Sequence, residues 1–104
     1  MANFSIQNSV IILRERMPNG NDELGSKREY FAANGGSLTW AAKVNMAIRD
    51  AVPSKYRKQV ASALVGRSLD STKELTVAEA AAIWNSRNNP QFKQFARKVV
   101  TNDR

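Results

Sequence analysis

Two residue types are missing from this 104-residue chain altogether: cysteine and histidine. The lack of cysteine excludes disulfides, thiolate metal ligands and a cysteine nucleophile together. Without histidine as well, a transition-metal site would have to be built from carboxylates alone, and the nine acids are scattered along the chain. Acid/base or nucleophilic catalysis would likewise fall to carboxylate pairs, Ser/Lys pairs or tyrosine. Glu74 and Glu79 flank a helix start, where carboxylates normally serve as caps or dipole partners. Asp50, near Lys43 and Arg49, reads as an exposed helical charge, and Ser54-Lys55 and Ser62 belong to no nucleophile motif. The expectation is a protein that is not an enzyme and needs no metal and no cofactor. Long apolar runs are missing too. Val10-Ile11-Ile12-Leu13 is far short of a membrane span and is followed by Arg14. The first residues lack the basic start, apolar middle and small-residue cleavage site of a signal peptide, so a soluble cytoplasmic protein is expected.

What the chain does have is positive charge, and it is unevenly placed. Sixteen Lys and Arg stand against nine Asp and Glu, a net +7. Residues 1–52 hold six bases and five acids, whereas residues 53–104 hold ten bases and four acids. No acid occurs between Asp50 and Asp70, where Lys55, Arg57, Lys58 and Arg67 fall. A one-sided basic surface on a small domain attracts polyanions, and nucleic acid is the commonest of them.

At this length one domain is expected, with residues 1–25 as an N-terminal arm and loop and residues 26–104 as a helical core. Neither a repeat nor a low-complexity segment interrupts it. Residues 4–16 read two ways. Phe4, Ile6, Val10 and Ile12 alternate with polar residues as in a strand, while Ile6, Val10, Leu13 and Met17 fit helical spacing. The clustered β-branched Val10, Ile11 and Ile12 tip the reading toward a strand, which could pair with a second copy of the chain. The Pro18, Asn19-Gly20 and Asn21-Asp22 segment reads as a loop.

Helices are expected from Ser26 onward. Ser26-Lys27-Arg28-Glu29 matches a capping box, opening a short helix with Tyr30 and Phe31 that stops at Asn34-Gly35-Gly36. That glycine pair before Ser37 could in principle hold an anion, but it lacks the lysine and glycine spacing of a phosphate loop, and helix punctuation is the simpler reading. A second helix starts at Ser37 or Thr39 and runs to about Val52, with Pro53 ending it. Ser54 caps a third, with Tyr56, Val60, Ala63 and Leu64 inward and Gly66 as its stop. After a polar connector, Thr76-Val77-Ala78-Glu79 is a second capping box, opening a helix that presents Val77, Ala80, Ala81 and Trp84 to a core. Asn89 and Pro90 then start a helix with Phe92, Phe95, Ala96, Val99 and Val100 inside. Trp40, Tyr56, Trp84, Phe92 and Phe95 all fall on inner faces, where core packing is the default over base stacking. The expected fold is mainly α: a compact bundle of four to five short helices, with an N-terminal strand or extended arm.

The run Leu75-Thr76-Val77-Ala78-Glu79-Ala80-Ala81, a turn, and a basic amphipathic helix from Asn89 resembles the helix-turn-helix of excisionase- and MerR-type DNA-binding domains. That resemblance covers residues 75–98. It implies that the second helix enters the major groove, with Gln91, Lys93, Gln94, Arg97 and Lys98 facing the bases and Arg87 on a phosphate. Together with Lys55, Lys58 and Arg67, these are the candidate nucleic-acid-binding residues. Asn88 could join Gln91 and Gln94 in bonding base edges. The expected partner is nucleic acid, DNA ahead of RNA, bound by phosphate neutralisation by an accessory or regulatory factor. The alternative is an adaptor or inhibitor that docks its basic face on an acidic surface of a larger bacterial or phage nucleic-acid-processing complex. A homodimer through the N-terminal segment is the remaining partner expectation, and no membrane partner is expected.

Overall fold

A computed structural model describes residues 4–24, 30–31 and 37–102. Five α-helices account for most of the described residues: α1 (Gln7–Arg16), α2 (Trp40–Arg49), α3 (Arg57–Val65), α4 (Val77–Asn85) and α5 (Pro90–Asn102). The mainly helical bundle is therefore the observed fold. None of these helices is long and apolar enough to cross a membrane.

The packing centres on α4. Val77, Ala78, Glu79, Ala80, Ala81, Ala82 and Ile83 are all buried, so this helix shows no solvent face over its first two turns. Its four alanines keep the cylinder narrow and let α1 and α2 pack against it from two sides. A helix end can be buried only if its free N–H groups find partners. The Val77 N–H donates to the Asp22 carbonyl (2.8 Å) and the Ala78 N–H to the Gly20 carbonyl (3.0 Å). The Glu79 N–H donates to the Thr76 hydroxyl (3.2 Å), while the Glu79 carboxylate accepts from the Thr76 N–H (2.9 Å). The second capping box is thus present in full, and the 17–24 loop completes it.

Gly20 is buried where this loop crosses α1. A Cβ there would stand 2.8 Å from the Arg14 Cα and 3.1 Å from the carbonyl oxygens of Leu13 and Arg14. All three are backbone atoms and cannot swing aside. Gly20→Ala is expected to destabilise the fold by about 1–3 kcal/mol, the usual cost of overpacking, read as a lowered urea midpoint.

The N-terminal segment departs from the strand expectation, for α1 occupies residues 7–16. Ile6 and Val10 are buried and Leu13 and Met17 partly so, a narrow helical stripe, whereas Ile11 and Ile12 remain exposed at 55% and 46%. A strand would have placed Asn8 on the same face as Phe4, Ile6, Val10 and Ile12 and left its backbone groups seeking a partner strand. The helix satisfies those groups internally. The edge needed for strand pairing between two copies is consequently not there, and α1 belongs to the core instead of forming an arm.

Tyr30–Phe31 and Ser37–Leu38 form a two-residue antiparallel ladder, Tyr30 opposite Leu38 and Phe31 opposite Ser37, where a short helix was expected. Aromatic residues favour such pairing. The proposed capping box at Ser26 and the stop at Asn34-Gly35-Gly36 lie outside the described residues. Of the two candidate starts for α2, Thr39 is the cap, its hydroxyl accepting from the Ala42 N–H at 3.0 Å. The helix ends at Arg49, three residues earlier than expected, with residues 50–52 turning ahead of Pro53.

Entry to α3 also differs, because a 3-10 turn (Ser54–Tyr56) replaces a cap at Ser54. The inward face carries Val60, Ala61, Leu64 and Val65, while Ala63 is exposed. Gly66, at φ 75°, takes the left-handed conformation that stops the helix. The Asn89 side chain accepts from the Gln91 N–H at 2.8 Å and caps α5, as its sequence implied. Phe92 and Ala96 bury α5 against α3, and Phe4 meets the Phe92 ring edge-on at 5.8 Å between centroids.

Candidate nucleic-acid interface

Arg67 falls away from the candidate set first. Its two Nη groups clasp the Glu79 carboxylate, Nη2 donating to Oε1 at 2.9 Å and Nη1 to Oε2. Nη2 also donates to the Glu74 carbonyl at 3.0 Å. Arg14 adds a second cation, its Nη2 3.8 Å from Glu79 Oε2. Burial opposes ionisation of Glu79, but the hydrogen bonds from Arg67 and Thr76 and the pull of both arginines outweigh it. The carboxyl is held below its ordinary range. The hydrogen bond to Glu79 raises the Arg67 pKa against the opposing effect of burial. This cluster ties α1, the 67–75 connector and α4 together. α3 also separates it from Lys58 by about 10 Å of helix.

The remaining basic residues divide into two groups. Lys55, Arg57 and Lys58 sit at the start of α3 and, with Asp70, Ser71 and Thr72, line a concavity of about 310 Å³. Its walls are fixed. The Ser62 hydroxyl donates to the Lys58 carbonyl (2.8 Å) and accepts from the Leu69 N–H (3.2 Å), coupling α3 to the segment leading into Asp70. Arg57 is anchored by an Nη1 bond to the Ser54 carbonyl at 3.1 Å. On α5, Gln91, Gln94, Arg97 and Lys98 are exposed and Lys93 is half-buried. Arg97 Nε reaches the Ala51 carbonyl at 3.4 Å, three residues before Ser54. Because α5 also packs on α3, the Arg97 turn of α5 lies beside the segment that carries Lys55. Among the described residues the ion pairs run from Arg14 and Arg67 to Glu79, and none engages Lys55, Arg57, Lys58, Lys93, Arg97 or Lys98.

Arg87 stands apart, at the C-terminal end of α4. Its guanidinium stacks 3.8 Å from the centroid of Trp84, and Nη1 donates to the Trp84 carbonyl at 2.8 Å. Lys43 of α2 lies 4.8 Å from the Trp84 ring and 5.2 Å from the Trp40 ring. Desolvation, and then repulsion from Arg87, lower the Lys43 pKa. Both tryptophans of the chain are therefore half-buried in a cation–aromatic stack.

Four residues of these surroundings lie outside the candidate set: Arg57, Lys43, Ser71 and Thr72. Arg57 belongs to the acid-free run, and its place in that run was the available signal. Lys43, Ser71 and Thr72 gave none, since their surroundings depend on how α2 meets α4 and how α3 meets the 70–72 segment. The helix pair that resembled a helix-turn-helix is present as α4 and α5. Yet the first two turns of α4 are buried all round, whereas the first helix of such a motif crosses the nucleic-acid backbone. Among the described residues, no three acidic side chains gather as a metal site would require. No family model, no curated protein and no solved structure matches the chain.

Proposed function

We propose that this protein binds nucleic acid, DNA ahead of RNA, as a small accessory or regulatory factor acting through phosphate neutralisation. The observation that carries this reading is the set of six cations, Lys55, Arg57, Lys58, Lys93, Arg97 and Lys98, that no described carboxylate pairs. A cation already paired releases no counterion when it meets a phosphate, so only unpaired ones contribute fully. The Arg97 contact with Ala51 supports placing the two groups side by side. Gln91, Gln94 and Asn88 supply hydrogen-bonding groups for base edges, and Arg87, in the turn before α5, is a further candidate for a phosphate contact.

The test is fluorescence anisotropy with random-sequence duplex and single-stranded DNA and RNA at increasing salt. With six phosphate contacts, log K is expected to fall with log salt at a slope of about −5 on duplex DNA. A flat titration, or no binding at low salt, counts directly against the proposal. The exposed Ile11 and Ile12 on α1 favour a second reading, an adaptor that docks on a larger protein. Retention of one lysate protein after nuclease treatment, without binding to purified DNA or RNA, would favour that reading instead.

A further inference from the structure

We infer that the concavity at the start of α3 is a seat for a terminal phosphate, the phosphomonoester at the end of a nucleic-acid strand. The inference rests on the nucleic-acid reading and sharpens it. A phosphodiester inside a strand carries one negative charge, whereas a phosphomonoester carries about −1.5 to −2 at neutral pH. Lys55, Arg57 and Lys58 contribute three positive charges to the concavity and Asp70 one negative charge, leaving an excess of two. That excess suits a dianion better than a backbone phosphate.

Shape agrees with charge. A concavity of about 310 Å³ lies at the small end of the roughly 300–1,000 Å³ range of ligand sites. It can take a terminal phosphate with part of its sugar, while a continuing strand would have to enter and leave the same recess. The site is also held ready. Ser62 fixes one wall to the other, Arg57 is braced on the Ser54 carbonyl, and the Ser71 hydroxyl is oriented by accepting from the Lys73 N–H at 3.1 Å. Arg57 can meet a phosphate with paired N–H donors, and the lysines act as point charges beside it. Asp70 would then face the sugar side, where a carboxylate can accept from a hydroxyl.

The experiment compares one short oligonucleotide carrying a 5′-phosphate, a 3′-phosphate or hydroxyls at both ends. A phosphorylated end should bind about tenfold tighter than the hydroxyl form, with inorganic phosphate competing away the increment. The variant Arg57→Gln/Lys58→Gln should lose the increment, and it should bind the hydroxyl form through α5 more weakly than wild type but without discriminating the three ends. Lys93→Gln/Lys98→Gln should weaken all three oligonucleotides and keep it. Circular dichroism identical to wild type confirms that these changes leave the fold intact. Binding of equal strength to all three oligonucleotides would overturn the seat and leave the nucleic-acid reading standing. If no oligonucleotide binds, it is the nucleic-acid reading that fails. In that case inorganic phosphate titrated against the amide resonances of Arg57, Lys58, Ser71 and Thr72 decides the seat alone, and unmoved resonances sink it.

Discussion

Replacing Arg67 by alanine is expected to destabilise the fold by about 3 kcal/mol, a large share of the stability of a domain this size. The Glu79 side chain is 5% exposed, and without Arg67 its carboxylate keeps only the Thr76 N–H and Arg14 at 3.8 Å. Removing one member of a buried pair strands the other, which costs more than the pair itself contributes. The figure lies at the low end of the usual range because the Arg67 side chain is 42% exposed and Arg14 remains. Glu79→Gln should cost less, about 1–2 kcal/mol, since glutamine can still close the capping box and the freed Arg67 can turn to water. The double variant should be less destabilised than the sum of the two. The pH dependence has a definite sign. A carboxyl whose folded pKa is depressed adds stability that is complete above its unfolded value of about 4.3 and is lost as pH falls through the folded value. Wild type should therefore show an acid limb that Glu79→Gln lacks. Urea midpoints at neutral pH measure the first effect, and an Arg67→Ala protein within about 0.5 kcal/mol of wild type would show the clasp to be ornamental.

Removing the three cations of α5 together, as Lys93→Ala/Arg97→Ala/Lys98→Ala, is expected to weaken duplex binding by about 10²–10³-fold at 0.1 M salt. Each phosphate contact adds about 0.9 to the salt slope, so the slope should become shallower by nearly three. Arg97 and Lys98 are exposed and Lys93 half-buried, and α5 is held to the core by Phe92 and Ala96, so the fold should survive the change. Arg67→Gln, measured where the variant remains folded, should leave the salt slope where it was, because that side chain is engaged by Glu79 and already neutralised. Equal losses from the α5 triple and from Arg67→Gln would mean that pairing within the protein does not sort the cations.

Helix ends were the most legible part of the sequence. Thr76 and Glu79 at cap and third position, Asn89 ahead of Pro90, and Gly66 after an apolar face each fix a backbone group locally, and each stands where expected. Residues 4–16 were not legible, because the β-branched Val10, Ile11 and Ile12 argued for a strand while the spacing of Ile6, Val10, Leu13 and Met17 argued for a helix. In the folded chain Ile11 and Ile12 simply stay exposed. The candidate site was legible as charge and not as geometry. Glu79 read as a cap, which it is, but its bond to Arg67 spans twelve residues and depends on the connector folding back over α4. The same holds for Arg97 and Ala51, forty-six residues apart, and for the approach of Asp70, Ser71 and Thr72 to the start of α3. Counting bases could find the basic half of the chain. It could not separate the arginine that braces the fold from the cations left open to a partner.

The most direct measurement is to follow backbone amide resonances while a short random-sequence duplex, ending in 5′-phosphates, is titrated at low salt. Shifts should concentrate at residues 54–58, 70–72 and 87–98, with little change around Arg14, Arg67 and Glu79. Shifts centred on Ile11 and Ile12, or spread evenly over the chain, would contradict a nucleic-acid face formed by the start of α3 and the outer side of α5.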